Sequence, residues 1–155
     1  MSRDAGDEIR LVLGSRMEYL DAVHRLAEEV GRAAGLGRTR AFELSLAVRE
    51  AFVNALKHGN QLDRRKKVRL SFRTDGDAVR VCVGDEGRGF DLDRAPDPLA
   101  PENLSRPEGR GVFLMRNYVD ELEVRREAGG GSQICLLKRL PAGGRQAELK
   151  RRKRS

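Results

Sequence analysis

The chain has 155 residues, 39% of them hydrophobic and 35% charged, which suits one compact domain and is too short for two cores. Its formal charge of +7 is concentrated at one end, because Lys150, Arg151, Arg152, Lys153 and Arg154 supply five of the seven charges; the high pI belongs to a tail and does not make the fold a nucleic-acid binder. Cys82 and Cys135 form no CxxC pair and no metal-ligand spacing, the polar start lacks a secretory apolar stretch, and no window approaches the roughly 20 apolar residues of a membrane span, so a soluble cytoplasmic protein without a disulfide framework is expected.

The expected domain covers residues 8–140, after a frayed start. Ile9-Arg10-Leu11-Val12-Leu13 alternates as a strand up to Gly14, and Ser15 is placed to cap a helix carrying Leu20, Val23, Ala27 and Val30 at three- to four-residue spacing. That helix is expected to end within 31–37. A second helix, from about 39 to 57, is apolar over most of its surface (Phe42, Leu44, Leu46, Val48, Phe52, Val53, Leu56) and should be buried. Gly59 suits the left-handed position that ends such a helix.

Val68 to Phe72 alternates as a strand, Asp75-Gly76 marks a turn, and residues 78–83 complete a hairpin. The stretch from Gly84 to Gly111 holds four of the five prolines, and a loop of that length inside a compact domain suggests a lid. A short helix over 112–119 and strands over 122–126 and 133–138 follow, joined by Gly129-Gly130-Gly131. Residues 141–155 read as a disordered basic tail. Helices on one face of a sheet bury these surfaces best, giving a two-layer α/β sandwich.

Four constellations carry possible chemistry. Glu50, Asn54 and His58 recur every four residues along one helical stripe, with Lys57 beside Asn54. The Asn carbonyl oxygen suits Mg²⁺, and a Glu one turn away can accept a proton from an attacking hydroxyl; an ordinary salt-bridged polar stripe has the same composition. Asp85-Glu86-Gly87-Arg88-Gly89 follows a strand, so that Asp85 can accept from an exocyclic amine while its glycines let backbone approach a flat ring; a plain glycine-rich turn reads the same way. Its spacing fails the dinucleotide fingerprint, and the absence of any Gly-Lys dipeptide excludes a Walker A loop. Gly109-Arg110-Gly111-Val112 opens a helix, where backbone N–H groups can hold phosphate, or it is a flexible lead-in. Gly131-Ser132-Gln133 opens the last strand, with the Ser132 hydroxyl facing either a pocket or a turn.

In this order the four pieces resemble the N, G1, G2 and G3 boxes of the GHKL superfamily, the Bergerat ATP-binding fold of gyrase, histidine kinases and MutL. The resemblance runs over about residues 8–140. Within it, Glu50 four residues before Asn54, the run Asn54-Ala-Leu-Lys-His-Gly, and Pro101-Glu-Asn-Leu with Gly109-Arg-Gly-Val-Phe-Leu-Met-Arg are similar to the anti-sigma factor serine/threonine kinases of the RsbW and SpoIIAB type.

The resemblance implies an α+β fold with helices on one face of a mixed, mostly antiparallel sheet, and a kinase using ATP and Mg²⁺. Glu50 would be the general base and Asn54 the Mg²⁺ ligand. Asp85 would bind the adenine amine above Gly87 and Gly89. Gly109, Arg110, Gly111 and Val112 would meet the phosphates, together with Lys57 and His58, and Ser132 would lie near the base. The implied partners are a sigma factor and a STAS-type anti-anti-sigma protein that receives the phosphoryl group, in a chain that forms homodimers. The alternative is a partner-binding regulatory module of the same fold without catalysis. A third reading, nucleic-acid binding, rests on the tail alone. The lid arginine of the family has no clear counterpart here, with Pro107 near its place and Arg106 or Arg110 as substitutes.

Overall fold

Apolar–polar alternation, the period of a half-buried strand, is clearest in Lys67–Thr74, and among the described residues five strands pair into one sheet in the order β1-β2-β3-β5-β4. The computed structural model describes residues 6–87 and 110–141. The lid stretch with Gly89 and Gly109, and the basic tail, lie outside them, as does the side chain of Arg110. The strands are β1 (Asp7–Gly14), β2 (Lys67–Thr74), β3 (Ala78–Gly84), β4 (Glu121–Arg126) and β5 (Ser132–Arg139). All four pairings are antiparallel, so the expected mostly antiparallel sheet is wholly antiparallel among the described residues.

The register decides which face is buried. Leu70 stands opposite Val83, Phe72 opposite Val81, and Val81 and Val83 opposite Leu136 and Ile134. Residues directly across a ladder share a face. These side chains are buried in one core with the helices, each contributing about 1.5–3 kcal/mol by leaving water. The other face carries Arg69, Arg73, Arg80 and Arg125, alternating with the apolar set. A one-residue slip would exchange the two faces.

Among the described residues three α-helices cover the apolar face: α1 (Leu20–Ala34), α2 (Arg38–Asn54) and α3 (Arg110–Tyr118), with α2 in the middle. Helix α1 ends at Gly35, whose φ of 103° is the left-handed conformation glycine adopts without strain. Helix α2 is buried as expected through Ala41, Leu44, Ala47, Val48, Ala51 and Phe52, although Phe42 is 45% exposed. It runs straight into a π-helical turn, Ala55–Gly59, in which the Asn60 N–H donates to the Ala55 carbonyl five residues back. Such wide turns interrupt α-helices most often at functional sites.

Three expectations are corrected. Ser15 does not cap a helix: its hydroxyl donates to the Lys66 carbonyl at 2.8 Å, and the first turn (Met17–Tyr19) starts from Arg16 without a side-chain cap. Gly59 is not left-handed; the positive φ values fall at Gln61 and Leu62 instead. The two cysteines are joined, because the β3–β5 register sets Cys82 directly opposite Cys135 with their Cα atoms 4.1 Å apart.

The end of α3 is pinned from below. Lys138, 3% exposed, reaches from β5 to donate to Glu43 of α2 at 2.7 Å and to the Tyr118 carbonyl at the last turn of α3. A cation there is favoured by the helix dipole. Asp120 accepts from the Arg139 N–H at 2.7 Å and from Arg40 at 3.2 Å, tying the α3–β4 junction to β5 and α2. These bonds fix the axis of α3, and with it the place where its first turn begins.

Candidate functional site

Asp85 leaves β3 just past its last ladder pair and is 3% exposed, where a bare carboxylate would be costly. The local backbone compensates. The Gly87 N–H donates to Oδ1 at 2.9 Å, the Ser132 N–H to Oδ1 at 3.3 Å and the Ser132 hydroxyl to Oδ2 at 2.9 Å. The Asp85 N–H in turn donates to the Ser132 carbonyl at 2.9 Å, so β3 and β5 hold the pair together. A carboxylate offers four lone-pair positions. Among the described residues these bonds leave one, on Oδ2, for an outside donor.

The surroundings of Asp85 are backbone. A Cβ on Gly59 would collide with the Asp85 carboxyl, one on Gly87 with the Gly59 carbonyl, and one on Gly131 with the Asp85 carbonyl. Three glycines from three separate segments are thus required by space, with no demand on φ at Gly59. Local spacing pairs Asp85 with Gly87 and places Ser132 only loosely. Gly59 and Gly131 are not legible as walls from the sequence, since neither the turn preference of glycine nor its local spacing reveals a neighbour that folding brings in.

Glu50 and Asn54 lie on α2, one turn apart and both half-buried. The Glu50 carboxylate abuts the first turn of α3: its Oε2 is 2.8 Å from where a Cβ on Gly111 would stand. Orphan N–H groups at that turn favour negative charge. The Asn54 Nδ2 is buried and has no partner among the described residues, a donor suited to an anionic oxygen, while the carbonyl of the same amide is the hard oxygen Mg²⁺ takes. The chemistry of this donor set therefore fits a metal–phosphate group, with Asn54 as the residue that would hold the ion. Among the described residues no cluster of three His, Cys, Asp or Glu forms a metal site without phosphate.

Of the remaining expected residues, Lys57 and His58 are exposed on the π-helical turn. Val112 is 8% exposed and belongs to the core, so only its backbone is available to a ligand. Arg110 begins α3. Two neighbourhoods result, one around Asp85, Gly87 and Ser132 and one around Glu50, Asn54 and Gly111. The continuous segment from α2 through its π turn serves both, contributing Glu50 and Asn54 to the second and Gly59 to the first.

A helical layer on one face of a five-stranded antiparallel sheet, with an acidic residue after β3 and an amide-bearing central helix, defines a class of α+β domain. The family profile described as the histidine kinase-like ATPase domain matches residues 13–138, and the chain belongs to that family. It is 28% identical over 133 residues to the serine-protein kinase RsbW of Bacillus subtilis, covering 82% of this chain and 83% of that one. It is 33% identical over 103 residues to the anti-sigma F factor of Clostridium perfringens, covering 63% of this chain and 71% of that one. A crystal structure of the RsbU and RsbW domains of a Mycobacterium tuberculosis protein has the same fold, with a TM-score of 0.62 at 19% identity. The match covers 86% of this chain, which spans 32% of that longer one. Among the described residues no helix is long and apolar enough to cross a membrane.

Proposed function

We propose that this chain is an ATP-dependent serine/threonine protein kinase of the anti-sigma factor type. It would bind a sigma factor, phosphorylate a STAS-type antagonist and regulate transcription by partner switching, as a cytoplasmic homodimer. The single observation that carries the reading is the buried carboxylate of Asp85, packed against Gly59 and, among the described residues, hydrogen-bonded by Gly87 and Ser132 at all but one lone pair. An adenine amine is a donor of the right kind for that position. The relatives named serine-protein kinase and anti-sigma F factor support the activity and the partner class.

On this reading Glu50 is the general base. A serine or threonine hydroxyl of the antagonist gives its proton to the Glu50 carboxylate as its oxygen bonds the terminal phosphorus of ATP, and ADP leaves with the electrons of the broken bridging bond. Mg²⁺ supplies charge neutralisation on the phosphates, and Asn54 is the residue that would hold it. Gly111 and Val112 offer backbone N–H groups at the start of α3, while Gly109, Arg110, Lys57 and His58 are further phosphate contacts and Gly89 a further wall under the ring. Phosphoryl transfer needs positioning and charge compensation more than covalent help, which matches a site made of backbone, one amide and one base.

The test is calorimetric titration with ATP, with and without Mg²⁺, on the wild-type chain and on Asp85→Asn. Saturable binding that weakens by about 10- to 100-fold in the variant is expected, the worth of one hydrogen bond to a charged acceptor. No heat from ATP and no competition by ADP would overturn the kinase reading and leave a partner-binding module.

A further inference from the structure

Asn60, the residue directly after Gly59, is fully buried, and every polar group of its side chain is occupied. Its Nδ2 donates to the Ser15 hydroxyl at 2.8 Å and to the Lys67 carbonyl at 2.9 Å. Its Oδ1 accepts from the Glu86 N–H at 2.8 Å. One amide thus joins the end of β1, the start of β2 and the loop after β3. Ser15 is itself held, donating to the Lys66 carbonyl at 2.8 Å. The Glu86 side chain returns to the same place, its Oε2 accepting from the Lys67 N–H at 3.0 Å.

The consequence concerns Asp85, which lies between the two things Asn60 controls. Glu86 is its immediate neighbour in sequence, and Gly59, the immediate neighbour of Asn60, is packed against its carboxyl group. A buried amide with both N–H groups and its oxygen engaged has a single orientation, because turning it would leave donors facing donors. Asn60 therefore fixes both the backbone that follows Asp85 and the surface beneath it.

We propose that Asn60 is a positioning residue that sets the Asp85 carboxylate against the base and so sets discrimination between adenine and guanine nucleotides; this rests on the reading of Asp85 as the base-binding residue. The chemistry of discrimination is simple. Adenine presents an amine, a donor, where guanine presents a carbonyl, an acceptor that a carboxylate repels. Selectivity then depends on how firmly the Asp85 oxygen is held at one place, which a purely structural role for Asn60 does not touch.

The experiment measures ATP and GTP dissociation constants and thermal midpoints for the full chain and four variants. Asn60→Ala removes all three bonds and is expected to contract the ATP-to-GTP affinity ratio about tenfold, the equivalent of one hydrogen bond. Asn60→Asp keeps an acceptor for the Glu86 N–H but loses both donors, so the ratio should survive better than in Asn60→Ala while the midpoint falls. Ser15→Ala removes one partner of the amide and leaves Asn60 in place; a contraction of about two- to threefold is expected, a fraction of one bond. If neither Asn60 variant folds, Ser15→Ala decides, an unchanged ratio overturning the proposal and a contracted one supporting it. A lowered midpoint with an unchanged ratio in Asn60→Ala overturns it as well. Asp85→Asn separates the two readings: if that variant leaves the ratio intact, the base-binding role of Asp85 fails, whereas a contracted ratio there beside an unchanged one in Asn60→Ala refutes only the positioning role.

Discussion

The neighbourhood of Asp85 and that of Glu50 are built on different terms. Around Asp85 the protein supplies its own partners: three hydrogen bonds to the carboxylate, Gly59 against the carboxyl group with Gly87 and Gly131 against the neighbouring backbone, and the hydrogen-bonded Asn60 amide one residue from Gly59. Around Glu50 the side chains are half-buried, the Asn54 nitrogen has no partner among the described residues, and Lys57 is exposed. The first neighbourhood is held together by the chain's own hydrogen bonds; the second, among the described residues, leaves the Asn54 donor open, which on the proposed function a charged ligand would fill. On the proposed function, recognition and chemistry would thereby be separated, with the ordering cost of recognition already met by folding.

The contrast can be broken from either side. The largest effect is expected from Glu50→Gln, which keeps the shape and removes the proton acceptor: transfer of labelled phosphate to a STAS-type protein should fall about 10²- to 10⁴-fold while ATP affinity and the thermal midpoint stay near wild type. A full transfer rate in that variant would remove Glu50 from the chemistry. Gly87→Ala attacks the other neighbourhood, because its Cβ would collide with the Gly59 carbonyl. Overpacking of this kind costs about 1–3 kcal/mol, so urea unfolding should show a loss of that size together with weakened ATP binding. A variant as stable as wild type would show that the glycine contact is slack. The smallest effect belongs to the open face of the sheet. There the Arg125 guanidinium, by a 2.9 Å hydrogen bond, holds the Glu123 carboxyl below its usual range. A lowered carboxyl value favours the fold at pH above its unfolded value and loses that support as the pH drops through the folded one. Both groups are fully exposed and screened, so Glu123→Gln should leave the melting midpoint at pH 7 and ATP affinity unchanged.

Where the fold was set by local pattern, the amino-acid sequence was legible. The alternation of Val68, Leu70 and Phe72 and the Asp75-Gly76 turn located β2 and β3, and the apolar surface of α2 announced its burial. The order of motifs led to the family. What stayed hidden depended on register and on distant neighbours. Nothing near Cys82 says that β5, and not β4, will lie beside β3 with Cys135 opposite. Ser15 has the composition of a helix cap, yet its hydroxyl is taken by the Lys66 carbonyl, just before β2 and 51 residues away. Gly59 looks like a helix stop, and only the approach of Asp85 reveals why a side chain is barred there. Asn60 stands one residue past the motif that runs from Asn54 to Gly59, and nothing local gives it a role, since the partners of its side chain lie 45, 7 and 26 residues away. In the candidate site, residue types were readable and their mutual support was not.

The π-helical turn after Asn54 amounts to one residue added to an α-helix without lengthening the run of hydrogen bonds. It acts as a spacer that sets how far Gly59 and Asn60 stand from Asn54 along the chain. A chain shortened by one residue in this turn could still close an α-helical ladder, but Gly59 would no longer meet Asp85 and Asn60 would no longer meet Ser15, Lys67 and Glu86 together. Between Asn54 and Asn60, then, the number of residues is held as tightly as their identity, and insertions or deletions there should be far less tolerated than substitutions at the exposed Lys57.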